Sequence, residues 1–208
     1  MNLENKLENP SCKDFDKIAN TLINQYLIKK FASILDKNIF YKIIELEFYL
    51  YKENHKDIIT YPRNTNAFEW FFHYSGVDIT FKTQLSDGQL SQFGGVLIRS
   101  VEKYVDGELD SIYTGPLITM KEIFSCTNRL PLLEICETKT SNRKILKTER
   151  QGISLVEEYS KALYRYYVDI KTWSSEQICY RVKNKKVVEE KIKRHYSSKP
   201  KGGIEILI

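Results

Sequence analysis

Apolar residues first recur at helical spacing. Ile18, Leu22, Ile23, Tyr26, Leu27 and Phe31 repeat three and four apart through Leu35, behind a start signal over Pro10 to Asp14. That spacing predicts a helix whose apolar stripe packs on a core. The period then shortens to two: from Phe40 to Tyr51, Tyr41, Ile43 and Glu45 alternate against Lys42, Ile44 and Leu46, the pattern of a buried strand. A turn-rich stretch, Tyr51 to Asn66, leads to strands expected over Phe68 to Phe81 and Phe93 to Tyr104, separated by Ser86-Asp87-Gly88. Asp106-Gly107 signals a tight turn into a short strand, and Gly115-Pro116 precedes a helix expected from Met120 to Thr127. Ile135 to Glu149 is polar and reads as irregular, Tyr164 to Ile170 as a strand, and Ile178 to Val188 alternates basic with apolar residues before a lysine-rich run through Lys201. Strands flanked by helices predict an α+β fold, a curved, mainly antiparallel sheet with helices around it. We assign a single domain over residues 1–208, with an N-terminal helical segment at 1–36 and a basic C-terminal end at 183–208.

Composition narrows the partners. A chain of 208 residues can bury one sizeable core, and 42% hydrophobic with 28% charged residues fits a folded domain. The net charge of +5 favours a polyanionic partner, and no apolar run is long enough to span a bilayer. The polar beginning of the chain lacks the core of a signal peptide, so a cytoplasmic protein with free thiols is expected. Four cysteines without C-x-x-C spacing and three dispersed histidines, His55, His73 and His195, argue against a zinc site.

Three local features carry candidate chemistry. Glu45 and Glu47 stand two apart in an otherwise apolar strand, which places both carboxylates on one face. A strand carboxylate is usually satisfied by a nearby Arg or Lys, so this pair reads first as a structural ion pair. Arg99 closes the apolar run that follows Gly94-Gly95, where close backbone approach is allowed, and it could meet Glu47 across adjacent strands. The guanidinium would then hold a carboxylate able to take a proton from water, or simply close a buried salt bridge. Trp70-Phe71-Phe72-His73-Tyr74-Ser75-Gly76 offers flat faces that either pack a core or stack on an extruded base. Lys183 to Lys186 and Lys191 to Lys201 provide a basic end, a solvated face or a track for phosphates.

Taken in order, these motifs resemble those of the alkyladenine (3-methyladenine) DNA glycosylase family. Its early acid-x-acid-x-Tyr strand is matched by Glu45, Glu47 and Tyr49, its strand ending in arginine by Val96-Leu97-Ile98-Arg99, and its Gly-Pro before a helix by Gly115-Pro116. Its Arg-x-Gly-hydrophobic turn is matched by Arg150-Gln151-Gly152-Ile153, and its late strand by Arg165-Tyr166-Tyr167-Val168 with Trp173-Ser174 beyond. The match runs through roughly two thirds of the chain, and the ordering carries it.

The resemblance implies a monofunctional hydrolase that flips a base from double-stranded DNA and leaves an abasic site. Glu47 would be the general base that activates water, Arg99 would orient it, and the Gln151 carbonyl would hold the same water. Tyr49, Tyr61, His73 and Tyr74 would surround or displace the base, while Arg150, Lys183, Lys185 and Lys186 would follow the phosphate backbone. No metal or organic cofactor is implied, nor any membrane, and a monomer is expected. Two departures bear on the substrate. The family histidine at the base edge has only Tyr61 or His55 near its place, and the family asparagine that screens out guanine falls near Asp78 to Thr80, where none stands. The implied substrate is thus an alkylated or deaminated purine, or another modified base. A catalytically inactive nucleic-acid-binding module of the same fold is the alternative.

Overall fold

The computed structural model describes residues 3–31, 38–125, 132–153, 158–168 and 204–205. Helix α1, Leu3–Glu8, buries Leu3 and Leu7. Ser11 then caps a short 3-10 turn, Cys12–Asp14, by accepting from the Lys13 N–H, and the chain passes directly into α2, Phe15–Gln25. One stripe of α2, carrying Phe15, Ile18, Leu22 and Ile23, is buried against the sheet.

The predicted first helix stops ten residues short of Leu35. From Tyr26 the chain is strand β1, Tyr26–Phe31, which pairs antiparallel with β2, Ile39–Lys52, on one side and with β9, Leu132–Glu137, on the other. Tyr26, Leu27 and Ile28 suit either period, and two flanking strands satisfy the backbone where one helical turn would have done. Residues 32–35 of the predicted helix lie outside the described residues.

The sheet is antiparallel throughout its described pairings and runs β12-β10-β11-β2-β7-β5-β4, curling into a half-barrel. Here β4 is Trp70–His73, β5 Gly76–Thr80, β7 Gln89–Val105, β10 Ile145–Thr148, β11 Arg165–Val168 and β12 Ile204–Glu205. β3, His55–Lys56, pairs antiparallel with the end of β2, while β6, Gln84–Ser86, and β8, Glu108–Thr114, pair with β7. Asp87-Gly88 and Asp106-Gly107 turn the chain with both residues at positive φ, the conformation of the tight hairpins their sequences signalled. β10 and the end of β9 fall inside the stretch expected to be irregular. Helix α3, Pro116–Ile123, begins four residues before the predicted start, because Pro116 is preset for the first helical position and Thr119 donates to the Gly115 carbonyl.

Alternation along β2 and β7 divides the sheet into two faces. Leu46, Phe48, Val96 and Ile98 look toward α2, where the Phe15 and Phe48 rings stack at 4.2 Å and Tyr166 meets Phe48 edge-on at 5.2 Å. On the opposite face the register aligns Arg165, Glu47, Leu97 and Asp78 in one row across β11, β2, β7 and β5. The apolar core therefore lies on one side and a buried row of charge on the other. None of the described helices is long and apolar enough to cross a membrane.

Because Phe48 joins α2, β2 and β11 through ring contacts, Phe48→Ala is expected to lower unfolding free energy by about 3–5 kcal/mol. Urea denaturation should show the midpoint falling with little change in slope; an unchanged midpoint would show that Phe48 is not central to the core.

Candidate active site

The charged row begins with two carboxylates that sequence spacing placed on one face, and both are fully buried. Arg99 Nη1 donates to Glu47 Oε2 at 2.9 Å, and Arg99 Nε lies 3.4 Å from Glu45 Oε1. From the other side Arg165 donates to Glu45 Oε1 through Nε at 2.5 Å, which also lies 3.8 Å from Glu47 Oε1. Ser100 Oγ donates to Glu45 Oε2 at 2.6 Å. Two acids and two guanidiniums thus form a cluster with no net formal charge, the condition under which burial of ions is tolerated. Burial opposes the charge on Arg99, but Glu47 and Glu45 outweigh it and raise its pKa.

Glu47 sits directly behind the wall of a cleft of about 510 Å³. Tyr49, Arg99 and Gln151 all line that cleft, and all three bond to Glu47 or its partner. The Tyr49 hydroxyl donates to Glu47 Oε2 at 2.9 Å, the Gln151 N–H donates to Oε1 at 2.9 Å, and Arg99 Nη2 donates to Gln151 Oε1 at 3.0 Å. Burial and then the charge of Glu47 push the Tyr49 pKa well up, so its hydroxyl keeps the proton it donates. Gln151 holds Glu47 through its amide N–H, and its side chain matters, because it braces Arg99. The resemblance had implied a role for its carbonyl alone.

The opposite wall comes from the β4–β5 hairpin. Tyr74 stands at the hairpin turn with 81% of its surface exposed. Tyr61 meets the rings of His73 and Tyr74 at 5.5 and 5.9 Å, so Tyr61, His73 and Tyr74 form one aromatic edge of the cleft. Two glycines permit this construction. A Cβ on Gly94 would stand 2.1 Å from the Tyr49 carbonyl oxygen, and one on Gly95 would meet the Ile79 carbonyl at 2.8 Å and Arg63 at 3.2 Å. The close approach inferred from Gly94-Gly95 is therefore the close seating of β7 against β2 and β5.

Arg150 requires a correction. Its side chain is fully buried, donates to both Asp57 oxygens and to the Phe48 and Tyr159 carbonyls, and lies over the Tyr49 ring at 4.8 Å. It anchors the Gln151 loop and Tyr49 instead of meeting phosphates. His55, near that pair, is buried with its pKa lowered chiefly by burial, and its ring packs at 4.2 Å on Tyr159, away from the cleft wall. Lys183, Lys185, Lys186 and the Trp173-Ser174 motif lie outside the described residues. Among the described residues, no group of three or more His, Cys, Asp or Glu side chains is arranged to hold a metal.

Sequence reasoning did not assign Arg165, although its motif was visible, because its partner Glu45 is 120 residues away. It also missed Arg63, whose Nη1 pairs with Asp78 at 2.5 Å, since a lone arginine in a turn-rich stretch gives no periodic signal.

The cluster predicts a coupled loss of stability. Arg165→Met should cost about 3–5 kcal/mol by leaving buried acid uncompensated, and adding Glu45→Gln should recover part of it. A double-mutant cycle by chemical denaturation would read this, and simple additivity would contradict the coupling.

No protein-family model matches the chain. An alignment 130 positions long, which covers 52% of the chain, is 28% identical to an uncharacterized protein, L759, of Acanthamoeba polyphaga mimivirus. The match spans 56% of that relative, so the chain covers about half of its length.

Proposed function

We propose that this protein is a monofunctional DNA glycosylase, which flips a damaged or modified base of purine type from duplex DNA and hydrolyses its N-glycosidic bond. The observation that carries the reading is Glu47 gripped by Arg99, Tyr49 and the Gln151 N–H immediately behind an aromatic cleft. A volume of about 510 Å³ suits a small-molecule-sized group such as an extruded nucleotide. The exposed Tyr74 at the hairpin turn supplies a side chain to take the vacated place in the duplex.

On this reading the base lies among Tyr49, Tyr61 and His73. Water attacks the anomeric carbon from the face opposite the base, a C–O bond forms as the C–N bond breaks, and the bonding electrons leave with the base. Glu47 takes the proton from the water. Glu47 has no exposed surface, so water reaches it when a cleft-lining donor such as the Tyr49 hydroxyl moves off its carboxylate. Entry of a base against the Tyr49 ring would couple binding to that exchange. Arg99, held by Gln151, keeps the carboxylate oriented throughout. The protein acts as a monomer on double-stranded DNA, in repair or on foreign modified DNA.

The full burial of Glu47 also favours a second reading, a nucleic-acid-binding module in which this acid is structural. Base release from duplexes carrying single alkylated or deaminated purines separates the two. Glu47→Gln, which preserves shape, is expected to slow release by roughly 100- to 10,000-fold while DNA affinity stays near the wild-type value. Unchanged release in the variant, or binding by wild type with no release from any duplex, would rule out the catalytic assignment.

A further inference from the structure

The cleft has a second polar wall that the glycosidic chemistry leaves unused. On the β4–β5 hairpin, His73 Nε2 lies 3.2 Å from Asp78 Oδ1, and His73 Nδ1 lies 2.8 Å from Ser75 Oγ. Asp78 is itself fixed, because its Oδ2 accepts from Arg63 Nη1. Arg63 in turn donates Nε to the Tyr61 carbonyl at 3.0 Å and lies over the Phe71 ring at 4.1 Å. The Arg63 and Asp78 side chains are 1% and 3% exposed, whereas Ser75 is half-buried and lines the cleft.

Proton bookkeeping along this chain decides what Ser75 offers a ligand. A carboxylate oxygen only accepts, so the nitrogen facing Asp78 carries hydrogen. In neutral imidazole the other nitrogen is then an acceptor, and the 2.8 Å contact requires the Ser75 hydroxyl to donate. With the imidazole neutral, Ser75 directs its one proton at His73, and its oxygen is left as an acceptor.

We infer that Ser75, oriented through His73 by Asp78 and Arg63, selects the extruded base by accepting a hydrogen bond from it. The site prefers a base with an N–H on the edge presented to the hairpin, as in a 6-aminopurine or 6-oxopurine, over one whose nitrogens there only accept. Ser75 is the hydrogen-bonding contact and His73 lines the base site beside it; Asp78 and Arg63, which act through His73, are positioning residues. This rests on the glycosylase reading. It supplies a substrate preference at the region where the family's guanine-screening asparagine has no counterpart.

The test compares two bases in otherwise identical duplexes at pH 8. Hypoxanthine carries N1–H, and 1,N6-ethenoadenine carries no N–H on that edge. Single-turnover release is measured for wild type, Ser75→Ala and Ser75→Thr. We expect Ser75→Ala to slow hypoxanthine release by about tenfold, the loss of one hydrogen bond, and ethenoadenine release by less. Ser75→Thr, which keeps the hydroxyl, should restore the wild-type ratio. Hypoxanthine release alone, with the same loss in Ser75→Ala, would also support the assignment. Equal slowing of both bases, or release of ethenoadenine alone, would overturn the Ser75 assignment and leave the glycosylase reading standing. Release of neither base by wild type would overturn the Ser75 assignment; release of no base from the wider panel of alkylated and deaminated duplexes would overturn the glycosylase reading as well. Covalent modification of Ser75 by an organophosphorus serine reagent would make it a nucleophile and overturn the assignment as well.

Discussion

Two buried acids on one strand face impose the constraint on which the rest of the structure depends. Glu45 and Glu47 are separated by a single apolar residue, and neither can be buried without countercharge. Arg99 from β7 and Arg165 from β11 each span both carboxylates, so strands on both sides of β2 are tied to it by the same ions. The register of three strands is thereby linked to charge neutrality, because a slip by one residue would send the arginines to the apolar face. Site and scaffold are the same object here: the guanidinium that orients Glu47 also closes the charge balance of the sheet.

The other ties around the cleft extend this arrangement outward. Arg150 and Asp57 bring the loop carrying Gln151 against β2, and from there the Gln151 N–H reaches Glu47. Arg63 and Asp78 fix the hairpin wall opposite and require Gly95 beneath them. Each of these buried arginines serves position, not surface charge. A basic composition is therefore a poor guide to which arginines face a polyanion, as Arg150 shows.

Much of the sheet was legible because its signals are local. The alternation over Phe40 to Tyr51, the Asp-Gly turns and the Gly94-Gly95 approach all follow from near neighbours or from backbone freedom. β1 was not legible, since Tyr26 to Phe31 fits helix and strand alike and only the distant β2 and β9 decide between them. β10 was hidden for the same reason, its partners β11 and β12 lying later in the chain. At the site, the contact between Glu47 and Arg99 follows from their places on adjacent strands, and Tyr61, His73 and Tyr74 do share one cleft edge. The relay through Asp78 and Ser75 was not anticipated, because hydrogen-bond order within a hairpin depends on side-chain placement that spacing does not encode.

The most direct measurement is mass spectrometry of small molecules released from genomic DNA that has been alkylated or deaminated and incubated with the protein. The proposed hydrolysis leaves free modified bases in solution, with the DNA strands intact until alkali is added. Strand breakage before alkali, or no free base above the level of a protein-free control, would contradict it.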